Sequence, residues 1–219
     1  MQKKGRRKVS KPIEITTQIK NQELVEKRRE QLVKAATKNF IEKGYDKTSM
    51  RDIVRDSGLS MGNLYDYISR KEEILYLVHH TMIHKIYDKF FDLKDDDYET
   101  KYTEIPDIIE KALETSLQFS NDIILLYRES GALSKELLEP ILSLEMKYIT
   151  VFKKLLDKAN EKGLYEIEDT YYVANMIVYL MSFLALRRWC FDDYDNKQEV
   201  KLLMQYIKII LKSKTDKTT

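Results

Sequence analysis

Three features of this 219-residue chain predict an all-α fold. Only 6 Gly and 3 Pro are present, so few residues interrupt helices. Apolar residues recur at intervals of three and four along most of the sequence, which is the period of an amphipathic helix. No segment shows the strict alternation typical of a strand. Because 43% of the residues are hydrophobic, the chain can also bury a core, and we expect a folded helical protein.

The first third of the chain predicts four helices. Gly44 is a natural end for the first of them, and Gly58 ends the second. Thr48 or Ser49 can cap the second helix, and Ser60 can cap the third. The predicted helices cover residues 21–43, 48–55, 60–67 and 69–91.

The rest of the sequence predicts further helices. Pro140 lies inside a long apolar-periodic segment that ends at Gly163, so it either starts that helix or kinks it. The acidic residues 95–97 predict a loop. The predicted helices of this part cover residues 106–119, 123–128, 137–159, 169–190 and 197–212.

Charge and composition favour some kinds of partner and location and argue against others. Residues 1–72 hold 18 Lys and Arg against 10 Asp and Glu, so this end suits a polyanionic partner. The longest uncharged run, Tyr171–Leu186, is shorter than the about 20 apolar residues that a membrane span needs, and it predicts a buried helix without membrane association. The lone Cys190 and the polar, basic N-terminus predict a cytoplasmic protein.

Residues 48–71 carry the clearest functional pattern. They predict two short helices joined by a tight turn at residues 57–59. The second helix combines small, polar and aromatic residues, the composition of a helix that must fit a major groove about 12 Å wide. The pattern therefore indicates a helix-turn-helix reader of DNA.

A set of residues at fixed spacing carries a family resemblance: Ala35, Ala36, Phe40, Gly44, Thr48, Ser49, Ile53, Gly58, Ser60, Gly62, Leu64, Tyr65, Tyr67, Lys71 and Glu72. Over about residues 25–80 this pattern resembles the DNA-binding domain of tetracycline-repressor-type (TetR) regulators. Ile68 departs from it where an aromatic residue is usual, and Val54 and Ser57 depart where alanines are common. The resemblance implies a cytoplasmic homodimer that binds a palindromic operator and usually releases it on binding a small molecule.

The predicted organisation has three parts. Residues 1–20 form a basic disordered arm, which either contacts phosphates or the minor groove or is a solvated tail. Residues 21–72 form an N-terminal three-helix helix-turn-helix DNA-binding domain, and residues 73–219 form a larger helical ligand-binding and dimerisation domain.

The residues expected to read base edges lie on the first turn of the third helix. Ser60, Met61 and Asn63 are short or flexible; Asn63 can pair with adenine and Met61 can contact a thymine methyl. Gly62 costs about 1 kcal/mol relative to alanine inside a helix. That cost is understandable if a side chain at this position would strike DNA.

A second set of residues is expected to contact the phosphate backbone. Arg51 could reach a phosphate or a guanine, and Tyr65 could instead pack within the helical core. The expected phosphate contacts are Thr48, Ser49, Tyr65, Tyr67 and Lys71.

A methionine-rich and aromatic group of residues predicts an effector pocket for a flexible apolar molecule. These are Tyr102, Phe119, Tyr127, Met146, Tyr148, Phe152, Met176, Tyr179, Met181 and Phe183, each of which could equally be ordinary core. Residues 126–129, 145–163 and 187–189 resemble the branch of the family that controls fatty-acid or other acyl-CoA degradation. On this view Arg128, Arg187 and Arg188 would meet the phosphates of a coenzyme A group.

Two apolar segments predict a two-fold four-helix interface between protomers. One is the run at 171–186; the other is a stripe made of Val200, Leu203, Met204, Ile207 and Leu211. A purely intramolecular core is the alternative.

Metal, cofactor and enzyme sites are not predicted. His80 and His84 have the spacing of a metal-binding pair, but no further ligand completes a site. The sequence has no HExxH motif, no Gly-rich phosphate loop and no Gly-x-Ser-x-Gly elbow.

Three hypotheses follow from these patterns. The first is a ligand-responsive transcriptional repressor, and the second is an architectural or cell-division DNA-binding protein without small-molecule control. Loss of operator affinity on adding an effector would separate the two. The third is an all-helical enzyme, for which no residue is a candidate.

Overall fold

The computed structural model describes residues 11, 13–91, 97–191 and 193–211, and within these residues the fold is all-α, as predicted. The α-helices are α1 (Gln22–Lys43), α2 (Met50–Ser57), α3 (Met61–Tyr67), α4 (Lys71–Phe91), α5 (Tyr98–Lys101), α6 (Ile105–Gln118), α7 (Ser120–Glu129), α8 (Lys135–Glu161), α9 (Thr170–Arg187) and α10 (Asn196–Leu211).

Two of the predicted segments lie largely outside the described residues. One is the basic first part of the arm, which holds Lys3, Lys4, Arg6, Arg7 and Lys8. The other is the acidic run at 95–97, of which only Asp97 is described. Lys11 of the arm is described and exposed.

The helices form two compact units. The N-terminal unit comprises the described residues up to Ile83 together with Leu125–Leu144. The C-terminal unit comprises His84–Ile124 together with the described residues from Glu145 onwards. The N-terminal unit therefore contains residues 73–83 and 125–144, which the predicted division after residue 72 assigned to the C-terminal domain.

Local capping explains where the first helices begin and end. Ser49 caps α2 and forms a capping box with Asp52, so Ser49 rather than Thr48 starts this helix. Gly58 then ends α2 in the left-handed region, at φ 72°, where a side chain would be strained. Ser60 accepts a hydrogen bond from the backbone N–H of Asn63 and starts α3 only a few residues later. The predicted turn between the two helices is confirmed.

Helix α8 excludes one of the two alternatives for Pro140. The helix begins at Lys135, so Pro140 lies inside it and does not start it. The first turn is held by Glu72 of α4, whose carboxylate accepts the backbone N–H of Ser134. That bond satisfies one of the N–H groups that a helix N-terminus leaves without a partner.

The predicted disordered arm needs a correction at its second half. Ile15 is 6% exposed, and its backbone carbonyl accepts a hydrogen bond from Arg29 of α1 at 2.6 Å. Removing the Ile15 side chain from water favours its packing against the apolar residues of the N-terminal unit. Residues around Ile15 are therefore packed rather than free.

No helix among the described ranges combines the length and the apolar character that crossing a membrane requires. The uncharged run at 171–186 forms most of α9, and Ala174, Ile177, Val178 and Met181 on this helix are buried.

A buried histidine lies where α4 packs within the N-terminal unit. His79 is fully buried, and desolvation lowers its pKa to about 4, against the opposing effects of the Leu126 and Leu75 backbone and the Glu129 carboxylate. The neutral imidazole is therefore the form that the folded protein accommodates near neutral pH.

We predict that His79 makes the protein less stable in mild acid. The folded-state pKa lies below the ordinary value of 6.5, so its stabilising contribution is present above pH 6.5 and is lost as the pH falls towards 4. The loss should be about 3 kcal/mol in the free energy of unfolding. Urea unfolding at a series of pH values measures it. H79L should flatten the profile between pH 6.5 and 4. An unchanged profile for H79L would contradict the prediction.

Candidate DNA-binding interface

Helix α3 is a short helix with two distinct faces. Leu64 and Tyr67 point into the N-terminal unit and are buried, whereas Gly62, Asn63 and Tyr65 are exposed. The turn at Gly58 and the cap at Ser60 fix the start of the helix, and its buried face packs against α1 and α2. The sequence thus presents a small polar surface on a rigid support.

Within the described residues, nothing packed around Gly62 explains why a glycine stands there. A Cβ built at this position would meet Ser60 Oγ at 3.9 Å, which is ordinary van der Waals contact, and its backbone has no left-handed φ. An alanine here would favour the helix by about 1 kcal/mol. The space beside this backbone is therefore open to a molecule outside the chain.

The predicted base-reading residues come together beside Gly62. The hydroxyl of Ser60 donates to Asn63 Oδ1 at 2.6 Å and holds the amide in place. Both residues are exposed, and Met61 is half-buried on the same turn. An oriented amide next to a flexible apolar side chain can pair with a base edge and contact a methyl group.

Two of the predicted phosphate contacts have the exposure that this role requires. The Tyr65 side chain is 54% exposed, and Arg51 on α2 is exposed as well. Ser49 is exposed, but its hydroxyl donates to Asp52 Oδ2 at 2.6 Å in addition to the two bonds of the capping box. Tyr65 and Arg51 are therefore the strongest candidates for phosphate contacts.

Three other predicted phosphate contacts have internal roles instead. Thr48 is buried, and its hydroxyl donates to Gly44 O at 2.8 Å. Tyr67 is 4% exposed because the C-terminal end of α3 packs its ring into the core. Lys71 Nζ donates to the carbonyl oxygens of Tyr45 and Thr48 at 2.9 and 3.0 Å. The side chains of Thr48 and Tyr67 thus stabilise the fold in place of the predicted contacts, and Lys71 primarily links the start of α4 to the turn before α2.

The acidic residues of α2 are compensated by neighbouring groups. Hydrogen bonds from Ser49 hold the pKa of Asp52 well below its usual range, and Lys43, 3.1 Å away, adds to the effect. Arg55 lies 3.0 Å from Asp56, whose carboxylate also accepts a hydrogen bond from Asn39. The negative charge that could repel a polyanion is thereby reduced on this surface.

The residues predicted to bind an effector differ widely in their exposure. Arg128 donates to Phe40 O at 2.8 Å and pairs with Glu129 at 2.7 Å, so it connects α7 to the end of α1. Arg187 and Arg188 are exposed, and Arg187 stacks 4.8 Å from the Trp189 ring. The remaining side chains range from fully buried to exposed. Phe152, Tyr148 and Met181 are buried; Tyr102, Phe119 and Met146 are half-buried; Tyr127 and Tyr179 are exposed.

Met176 and Phe183 line an open apolar groove between α9 and α10. Its volume is about 540 Å³, and Phe191, Leu202 and Tyr206 also contribute to it. The groove belongs to a surface with exposed side chains at Tyr172, Tyr179, Leu202, Tyr206 and Ile209. Its α9 part lies in the run at 171–186, which the sequence predicts as a protomer interface, whereas its α10 part was not predicted. A count of apolar residues on the exposed face of α10 could have found it.

The α10 stripe predicted to form a protomer interface is instead internal. Val200, Leu203, Met204, Ile207 and Leu211 are all buried within the C-terminal unit, where α10 packs on α6 and α9. Helical periodicity located a buried face correctly, but the neighbours that cover it belong to the same chain.

Comparison with known families gives two matches, one in the N-terminal part of the chain and one in the C-terminal part. Residues 32–76 match the family described as bacterial regulatory proteins of the tetR family, and residues 113–216 match the QacR-like protein C-terminal region. The chain belongs to the TetR family. This family consists of DNA-binding regulators rather than enzymes.

Curated relatives of this TetR-family chain match it over a limited length. The HTH-type transcriptional regulator HbdR of Aromatoleum sp. (strain CIB) is 42% identical over 59 residues, which are 27% of this chain and 26% of HbdR. The chain thus matches about a quarter of the length of this relative.

Solved structures extend the likeness in fold to most of the chain. A tetR-family regulatory protein from Rhodococcus RHA1 aligns with a TM-score of 0.67 and 19% identity, over 85% of this chain and 98% of its own. AibR, solved with isovaleryl coenzyme A and operator DNA, aligns with a TM-score of 0.64 and 15% identity, over 84% of this chain and 98% of its own. At these identities the likeness concerns the fold alone.

We predict opposite effects of Gly62→Ala on stability and on DNA binding. The new methyl group should raise the free energy of unfolding by up to about 1 kcal/mol, because helix propensity improves without a clash. The same methyl group should lower affinity for duplex DNA at least about tenfold, the effect of losing about 1.4 kcal/mol of binding free energy. Urea unfolding and a gel-shift titration measure the two effects. Gly131→Ala, at an open position away from α3, is the control and should leave DNA affinity unchanged. Wild-type affinity in Gly62→Ala would refute a close approach at this position.

Proposed function

We propose that this chain is a transcriptional repressor that binds a palindromic operator as a homodimer and is released by a small apolar or acyl-CoA-type effector. The observation that carries the proposal is the exposed face of α3. The described residues offer no internal reason for Gly62 there, and Asn63 is held by Ser60 in an exposed, oriented position. Such a face suits close contact with base edges in the major groove.

The phosphate contacts assigned to this proposal are Tyr65 and Arg51, with Ser49 beside them. Tyr65 follows the base-reading turn and its exposed hydroxyl can donate to a phosphate oxygen. The neighbouring Tyr67 is buried, which makes it a matched control for the loss of a hydroxyl group.

Selection from a pool of randomised duplexes tests the DNA-binding part of the proposal. The wild-type protein should enrich an inverted repeat. Tyr65→Phe should then weaken binding several-fold to the selected duplex and to unrelated sequences alike, because a phosphate contact carries no sequence information. Asn63→Ala should change the preferred base at one position in each half-site. Tyr67→Phe should bind like wild type. Enrichment of no duplex would refute the proposal, and equal losses for Tyr65→Phe and Tyr67→Phe would refute the assigned phosphate contact.

An acyl-CoA-type effector is supported by two observations. Half-buried Met146, Phe119 and Tyr102 in the C-terminal unit offer flexible apolar contacts, and Arg187 and Arg188 are exposed cations of the same unit. In addition, the fold neighbour AibR was solved with isovaleryl coenzyme A. Gel-shift titrations with acyl-CoAs of different chain length, and with free coenzyme A as the control, test this part. If acyl-CoAs leave operator affinity unchanged while other apolar compounds lower it, the effector class is wrong.

The homodimer is supported by the exposed surface of α9 and α10. Tyr206 is 63% exposed and Ile209 is 61% exposed, with Tyr172, Tyr179 and Leu202 also exposed on these helices. Tyrosine-rich apolar patches are typical of protein interfaces, and a stable one buries about 800 Å² on each partner. A two-fold pairing of α9 and α10 would cover these side chains and form a four-helix contact.

We predict that a single charge on this surface dissociates the dimer. Tyr206→Glu would place a carboxylate in the apolar contact on both protomers, and the cost of burying it should weaken self-association at least about a hundredfold, or about 2.7 kcal/mol. Gln118→Glu introduces the same charge at an exposed position of α6 and is the control. Sedimentation velocity over a range of concentrations measures the dissociation constant. Unchanged self-association of Tyr206→Glu would place the interface elsewhere.

A further inference from the structure

The two ends of α3 are capped in different ways. Ser60 caps the N-terminal end from the residue just before the helix. Residues 61–68, all of which the structure describes, supply neither a glycine cap nor a basic side chain at the C-terminal end, and Ile68 leaves the helix in extended backbone at φ −146°. The last carbonyls of a helix have no partner within it, so this end depends on donors from elsewhere in the chain.

Those donors come from α1 and from the segment that precedes it. Thr17 Oγ1 donates to Asp66 O at 2.7 Å. One terminal guanidinium nitrogen of Arg29 donates to Tyr67 O at 3.2 Å and to Ile15 O at 2.6 Å. Arg29 therefore joins α3 and the segment at one cation, and a cation is also favourable beside the negative end of a helix.

The segment 13–19 is held on the N-terminal unit by alternate residues. The backbone N–H of Ile13 donates to the Tyr76 hydroxyl at 3.1 Å, Ile15 is buried and Thr17 is half-buried. Positions 14, 16 and 18 are exposed, and this period of two is typical of a chain that packs one face. The segment is thus a fixed support for the end of α3, and it precedes residue 32, where the match to the TetR family begins.

A shift of α3 would change the contacts proposed for its exposed face. Asn63 lies three residues before Asp66 on the same helix, and Tyr65 lines a recess of about 410 Å³ together with Thr16 and Gln18 of the segment. Hydrogen bonds to base edges depend steeply on distance and angle, whereas attraction to phosphates acts over a longer range. Misplacing α3 should therefore cost sequence-specific affinity more than general affinity for DNA.

We propose that Thr17 and Arg29 are positioning residues for operator recognition, which fix the C-terminal end of α3 so that its exposed face meets the base edges in one orientation. This inference rests on the proposed operator binding and adds residues that act without touching DNA. They act through the carbonyls of Asp66 and Tyr67, and their contribution is to the discrimination between the operator and other sequences.

Four variants of the full-length protein test this role. Thr17→Val keeps the shape of the side chain but removes the donor to Asp66 O, and Thr17→Ser keeps the donor. Arg29→Met removes the donor to Tyr67 O and gives a second, independent test of the same helix end. Thr81→Val, at an exposed position of α4, is the matched control. Unfolding in urea establishes that each variant is folded.

The measurement is the ratio of affinities for the duplex that the wild-type protein selects and for a scrambled duplex, from gel-shift titrations at one salt concentration. Thr17→Val should lower this ratio about fivefold, the equivalent of one hydrogen bond, through weaker binding to the selected duplex. Arg29→Met should lower it at least as far. Thr17→Ser and Thr81→Val should keep the wild-type ratio. Loss of folded protein, or of a phosphate contact, would weaken binding to both duplexes alike and leave the ratio unchanged.

The outcomes distinguish this inference from the function on which it rests. An unchanged ratio in Thr17→Val and Arg29→Met would overturn the inference and leave operator binding intact. A ratio that falls as far in Thr17→Ser as in Thr17→Val would also overturn it, because the lost hydrogen bond would then not be the cause. If the wild-type protein selects no duplex, the proposed function fails and this inference fails with it.

Discussion

The arrangement of the N-terminal unit depends on holding a seven-residue helix in one position. A helix as short as α3 has almost no stability in isolation, because too few hydrogen bonds follow the costly first turn. It is fixed by a cap at Ser60, by the buried side chains of Leu64 and Tyr67, and by donors to its last carbonyls from Thr17 and Arg29. These contacts involve both ends of α3 and its buried face. The exposed face of α3 remains available to a partner.

Local chemistry explains why the beginning of the fold could be predicted from the sequence. Gly44, Ser49, Gly58 and Ser60 act through the backbone within a few residues of themselves, and the structure places each where its type of cap or turn requires. Gly62 could be singled out for a similar reason, since a glycine inside a short helix has a cost that needs an explanation. The family resemblance of this region is carried by the same residues.

Other features could not be predicted because they depend on contacts between distant parts of the chain. Arg128 bonds to a carbonyl 88 residues away, so nothing near it in the sequence shows that its guanidinium is already engaged. On α10 the apolar period identified a buried face, but it could not show whether the same chain or a second copy covers that face. The opposite face mixes Tyr206 and Ile209 with lysines, and this mixture concealed its apolar side chains from a search for uniform stripes.

Lys71 has a consequence for how mutational data on this protein should be interpreted. Its ammonium group bonds to the carbonyls of Tyr45 and Thr48 and lies 4.1 Å from the centre of the Tyr45 ring. Removing it would loosen the turn that precedes α2 and so shift both short helices that follow. A scanning experiment that measures DNA affinity would therefore record this rearrangement of the fold together with any direct contact that the ammonium group makes.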